Sequence, residues 1–210
     1  MSEINSKLVK TLRDKTNAGM MECKRALAET GGDIEKAEDF LRKKGILKAG
    51  ARSARATKEG VIASYIHMQG RVGVLIEVNC ETDFVAKNEG FREFVKDVTL
   101  HIAAASPICV SRDQVPADLI ARERDIAAAA DQVKGKPANI IEKIVDGKID
   151  KYLASVSLLD QPFIKNPDQT VGDLLKSKIA ETGENLVIRR FTRYQVGEEI
   201  AGEKKADAAE

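Results

Sequence analysis

The side chains best suited to nucleophilic or metal chemistry in this 210-residue sequence are three cysteines, Cys23, Cys80 and Cys109, and two histidines, His67 and His101. They stand far apart. An odd number of thiols with no C-x-x-C spacing argues against a disulfide framework. A zinc site wants about four soft or imidazole ligands with at least one closely spaced pair, and the sequence supplies none. It also lacks G-x-x-x-x-G-K-[ST], a strand-coupled G-x-G-x-x-G and a G-x-S-x-G elbow. The expectation is no catalytic residue, no metal and no cofactor, with these five side chains serving as packing or surface residues.

What remains is the chemistry of binding. Between an apolar run and a helical cap lies Asn79-Cys80-Glu81-Thr82-Asp83-Phe84-Val85-Ala86-Lys87. The pattern places Thr82, Asp83, Phe84 and Val85 on a connection, where chain usually runs over the surface. Phe84 is then either a lid folded onto the core or an aromatic wedge beside a carboxylate, offered to a partner. Buried at an interface, such a ring contributes on the order of 2–3 kcal/mol. Met20-Met21 poses a similar choice. Adjacent helical residues sit about 100° apart, so at least one of the pair points outward, and spacing groups Met20 with Cys23 and Leu27 on the core face.

The elements that position these residues are legible from periodicity. Ile4, Leu8 and Leu12 form one helical stripe, Thr16 to Gly19 break it, and a second helix begins near Met20. Gly31-Gly32 stops that helix, Asp33 caps a third carrying Ile34, Ala37 and Leu41, and Gly45 stands where a C-terminal cap belongs. Lys43 to Lys58 is rich in Lys, Arg and small residues, as in a solvated linker or a frayed helix. Val61–His67 and Val72–Val78 read as a hairpin around Met68–Arg71, and the second run, apolar on both faces apart from Glu77, as a central strand. A third strand is expected at Leu186–Gln195. Asn88 caps a helix carrying Phe91, Phe94, Val95, Val98 and Ile102, which Pro107 stops. Leu119, Ile126 and Val133 recur every seven residues and face Ile140, Ile141, Ile144, Val145 and Tyr152 across Gly135-Lys136-Pro137, a helical hairpin of coiled-coil character. Thr170 with Asp173 opens a last helix through Ile179 as a capping box.

The fold class expected is therefore α+β. It comprises a three-helix module over 1–45, a basic linker over 46–59, and a core over 60–200 with a small antiparallel three-stranded sheet and a helical hairpin over 116–155. A disordered tail over 201–210 follows. Thirty-four Lys and Arg against thirty-three Asp and Glu leave a net charge of +1, which gives no support for direct nucleic-acid binding. No apolar run approaches the roughly 20 residues of a membrane span. No signal or transit pattern opens the chain, and the expected location is cytoplasmic.

Several motifs carry a resemblance. Ala18-Gly19-Met20-Met21-Glu22-Cys23-Lys24-Arg25-Ala26-Leu27 with Gly32-Asp33-Ile34, and Glu77-Val78-Asn79-Cys80-Glu81-Thr82-Asp83-Phe84-Val85-Ala86-Lys87, resemble the two signatures of bacterial translation elongation factor Ts. Gly135-Lys136-Pro137, Ser157 to Phe163 and Thr170 to Leu175 are similar to later motifs of that family, in unbroken order over residues 3–197. The resemblance implies a ubiquitin-associated (UBA-like) three-helix module and a nucleotide exchange factor, not an enzyme. Its partner is the GTPase elongation factor Tu. It assigns disturbance of the partner's Mg2+ and phosphate site to Thr82, Asp83, Phe84 and Val85, and anchoring of the N-terminal module to Met20, Met21 and Lys24. Longer members hold two copies of the core unit and this chain one, from Gly60 to Ala105, so the resemblance implies a homodimer. Two rival readings are an RNA contact through Lys43–Lys58, seen as salt-dependent binding, and a module binding ubiquitin-like or nascent chains through residues 1–50.

Overall fold

The computed structural model describes residues 5–16, 18–130 and 135–198. Helices α1 (Ser6–Thr16), α2 (Met20–Glu29) and α3 (Ile34–Arg52) form the N-terminal module, consistent with the ubiquitin-associated type. Val9 and Leu12 of α1, Cys23, Ala26 and Leu27 of α2, and Ala37 of α3 make its small core. Asp33 accepts the Lys36 backbone N–H at 3.1 Å as the expected cap.

Gly45 does not stop α3. The helix runs on to Arg52 and takes in the first half of the stretch expected as linker. Two causes act together. Leu, Lys, Ala and Arg after the glycine are good helix formers that offset its cost of about 1 kcal/mol. The far end of α3 also packs on the core, where the Arg52 guanidinium donates to the Ile179 carbonyl at 3.3 Å.

Strands β1 (Glu59–His67), β2 (Val72–Cys80) and, far along the chain, Val187–Gln195 form an antiparallel sheet with β2 in the centre. Gly60 pairs with Asn79 at a φ of +149°, and a Cβ there would lie 2.3 Å from the Val78 carbonyl oxygen. Close approach of the two strands requires glycine. The inner face of β2 presents Val72, Val74, Ile76, Val78 and Cys80 to Phe91, Phe94, Val95, Val98 and Ile102 of helix α5 (Glu89–Ala105). Its outer face is not covered as the apolar run implied: Leu75 stays 48% exposed there. Period-2 alternation, not two-sided burial, describes this strand.

Helices α6 (Ala117–Ala129) and α7 (Ala138–Val156) make the helical hairpin. Its seam is Ala127, Val145 and Ile149 with Ile120, Ile141 and Leu153 against them. Ile126 and Ile140 point outward instead. The seven-residue repeat is real, but the buried register runs through 120 and 127, one residue beyond Leu119 and Ile126. Val133, the third member of the expected stripe, and the tail over 201–210 lie outside the described residues.

A two-stranded ribbon, β3 (Pro162–Phe163) with β4 (Asn166–Thr170), follows α7, an element the sequence pattern does not announce. Helix α8 (Val171–Thr182) then opens on the Thr170–Asp173 capping box and leads into the third strand, β5 (Val187–Gln195).

Candidate functional site

Thr82, Asp83, Phe84 and Val85 are not open loop. Asp83–Lys87 is a single helical turn, α4, set between β2 and α5. The signal was present: Thr followed by Asp and an N-terminal turn is a capping pattern. The Thr82 hydroxyl accepts the Val85 N–H at 3.5 Å. At the other end Asn88 receives the C-terminus of α4 and caps α5, its side chain accepting the Phe91 N–H at 3.1 Å.

This turn splits its residues between two jobs. Ala86 is buried and Val85 packs half-buried on the main core. Phe84 faces away and is 81% exposed, so of its two sequence readings the core lid is excluded. Beside it, Lys87 donates to the Asp83 carboxylate at 2.6 Å, one turn along the helix. That hydrogen bond holds the Asp83 carboxyl below the usual carboxylate range. An aromatic ring thus projects next to a fixed negative charge.

Sequence reasoning missed what holds the turn. Glu184, at the α8–β5 junction, accepts the backbone N–H groups of Glu81 and Thr82 at 3.1 and 3.0 Å, and the Thr82 hydroxyl at 2.6 Å. Glu81 answers by accepting the Asn185 N–H at 2.6 Å. Paired Glu residues 103 positions apart leave no local sequence signal, since only strand pairing brings them together.

In the N-terminal module Met20 and Met21 are 56% and 70% exposed. The grouping of Met20 with the core residues Cys23 and Leu27 is therefore corrected. Met20 is the first residue of α2, directly after the Gly19 cap. The core closes a turn later, at Cys23, whose thiol sits 3.6 Å from the Ala18 carbonyl oxygen and 3.9 Å from the Thr16 hydroxyl. Lys24 is exposed on the same helix. Two thioethers and an ammonium suit an adaptable partner surface.

Covalent chemistry finds little support in the thiols. All three cysteines are buried. Burial pushes Cys80 up, with the Glu184 and Glu59 charges adding to it, and burial likewise raises Cys109. A thiol held protonated is a poor nucleophile. Among the described residues no group of three or more His, Cys, Asp or Glu is placed to hold a metal ion, and no helix is long and apolar enough to cross a membrane.

Comparison with known proteins gives a consistent result. Residues 47–198 match the sequence profile of the family described as Elongation factor TS. A relative named Elongation factor Ts from Carboxydothermus hydrogenoformans is 53% identical over 207 residues, covering 99% of this chain and 95% of the relative. One of the same name from Anaeromyxobacter is 52% identical over 207 residues, covering 99% of this chain and 94% of its own length. A third, from Cyanothece, is 55% identical over 205 residues, covering 97% of this chain and 78% of that longer protein.

Proposed function

The chain belongs to the elongation factor Ts family, and from that premise we propose that it is the guanine-nucleotide exchange factor of elongation factor Tu. Its work lies in the elongation phase of translation. The observation that carries the proposal is Phe84, a large ring 81% exposed on a turn whose backbone is tied down at both ends.

A GTPase holds GDP through backbone amides around the phosphates and through Mg2+, which bridges phosphate oxygens and protein hydroxyls. An exchange factor need not touch the guanine. It has to stabilise a partner conformation in which those ligands no longer converge. Phe84 inserts between packed elements near the partner's magnesium site, Asp83 adds charge beside it, and Thr82 and Val85 hold the turn. Met20, Met21 and Lys24 anchor the module on another face of the GTPase. No covalent bond changes, so the protein is an exchange factor and not an enzyme.

Linkage fixes the cycle. Whatever factor this protein takes from GDP affinity, GDP takes from this protein's affinity. GTP then rebinds and expels the factor. Both steps are set in the cytoplasm and require neither a cofactor nor nucleic acid of this chain.

The second partner is another copy of the chain. The outer face of the sheet carries Ile62, Ile66 and Leu75 with Tyr194 in an exposed apolar patch. On a soluble protein such a patch marks a contact surface, and a twofold pairing of two such faces covers both.

Stopped-flow release of fluorescent GDP from elongation factor Tu tests the main proposal. The protein should accelerate release, and Phe84→Ala should lose most of the acceleration while keeping the thermal midpoint. Unaltered release with Phe84→Ala removes the ring from the mechanism.

A further inference from the structure

The turn that carries Phe84 is held by a residue 102 positions further along the chain. Building on the exchange function above, we propose that Glu184 is a positioning residue for that turn. Its carboxylate fixes the backbone at Glu81 and Thr82 and thereby aims the Phe84 ring, while the adjoining Asn185 ties the same corner to the segment leaving the N-terminal module.

The need for such a residue follows from the ring's exposure. A side chain 81% in solvent receives little direction from packing in its own chain, so its aim is inherited from the backbone beneath it. That backbone is one helical turn, and a helix this short has no cooperative stability of its own. It depends on its caps.

The N-terminal cap is over-determined. The Thr82 hydroxyl has one proton, which it donates to Glu184 at 2.6 Å, and it accepts the Val85 N–H with a lone pair. With both roles filled, the hydroxyl cannot turn. The second carboxylate oxygen of Glu184 takes the Glu81 and Thr82 amides together. Three donors converge on one carboxylate, and the hydroxyl bond, at 2.6 Å, is the short one.

The placement of Glu184 is built into the fold. Helix α8 ends at Gly183 with a left-handed φ of 78°, which turns the chain so that Glu184 faces the end of β2. The backbone ladder between β2 and β5 stops at Asn79 with Val187. Beyond it the two carboxylates continue the pairing, Glu184 onto residues 81 and 82 and Glu81 onto Asn185. The Asn185 amide then donates to the carbonyls of Ser53 and Arg55 at 3.3 and 2.8 Å, directly after α3. The path runs from module to clamp to ring through hydrogen bonds.

The test uses the full chain in the same GDP-release assay, titrated to saturation, with Glu184→Ala and Glu184→Gln in wild-type and Phe84→Ala backgrounds. Glu184→Ala should lower the maximal release rate roughly tenfold, as a misaimed group does, with little change in the half-saturating concentration. The loss of three hydrogen bonds also lowers the thermal midpoint by several degrees, a cost that does not depend on Phe84. In the Phe84→Ala background the same substitution should cost less than about twofold in release rate, because there is no ring left to aim. Glu184→Gln, which keeps an acceptor for the two amides but loses the one for the Thr82 hydroxyl, should fall between Glu184→Ala and wild type, and where Glu184→Ala does not fold it is read for the same dependence on Phe84. A full release rate, an equal loss with or without Phe84, or a change confined to the half-saturating concentration each overturns the positioning role. Unaltered release with Phe84→Ala alone overturns the exchange mechanism instead, so the two failures are distinct.

Discussion

The imidazole Nε2 of His101 lies 2.9 Å from the side-chain oxygen of Gln161, while its Nδ1 accepts the Ile164 backbone N–H at 3.2 Å. The ring is therefore neutral, protonated on Nε2, and buried where α5, the end of α7 and the β3–β4 ribbon meet. Burial lowers its pKa from the ordinary value of 6.5, against the opposing pull of Gln161. Below about pH 6.5 the unfolded chain binds a proton that the folded chain refuses, so the contribution is full above that pH and drains away as pH falls towards the lowered folded value. The loss is at most about 1.4 kcal/mol per pH unit. Urea midpoints at pH 7.5 and 5.0 check it: the wild type should lose more than His101→Gln across that interval, and equal losses exclude His101 as the sensor.

This lock was invisible in the sequence, and the reason generalises. Periodicity and caps report contacts within about four residues, so Asp33, Asn88 and the Thr170–Asp173 box were all legible as they stand in the fold. His101 with Gln161 and Thr82 with Glu184 are paired by tertiary folding alone, with no spacing rule to expose them. The Phe84 turn lay between these cases. Its residue types marked it as unusual, but only the three-dimensional position of Val85 and Ala86 on the core decided that Phe84 faces out.

Met21 offers a separation of binding from exchange. Its side chain is 70% exposed and the module core lies on the other side of α2, so Met21→Ala should leave the thermal midpoint unchanged to within about 2 °C. As an anchor distant in sequence from the ring, it should raise the half-saturating concentration in the GDP-release titration several-fold and leave the maximal rate near wild type. A fall in maximal rate at unchanged half-saturation would assign Met21 to the exchange step itself.

The outer sheet face predicts a mass. Ser64, Leu75 and Thr192 are aligned across β1, β2 and β5, putting Leu75 mid-sheet within the apolar patch. Leu75→Glu places a charge where two copies are proposed to meet, and burying it unpaired costs several kcal/mol. Sedimentation should find the wild type at about twice its 22.9 kDa and Leu75→Glu as a monomer with its helical signal intact. A wild type that sediments as a single chain at tens of micromolar would dispose of the pairing.

The helical hairpin gives the sharpest contrast between sequence register and buried register. Ile126 belongs to the seven-residue repeat that catches the eye, yet it is 54% exposed, whereas Ile149 on the opposite helix is 6% exposed within the seam. Truncating a seam residue removes transfer energy and leaves a cavity that α6 and α7 can only partly close. Ile149→Ala should therefore cost about 2–5 kcal/mol, while Ile126→Ala should stay within about 0.5 kcal/mol of wild type. Calorimetry that resolves the hairpin from the sheet core compares the two directly. A larger loss at Ile126 would mean that the outward face of α6 is itself covered in solution, by a contact from outside the single chain.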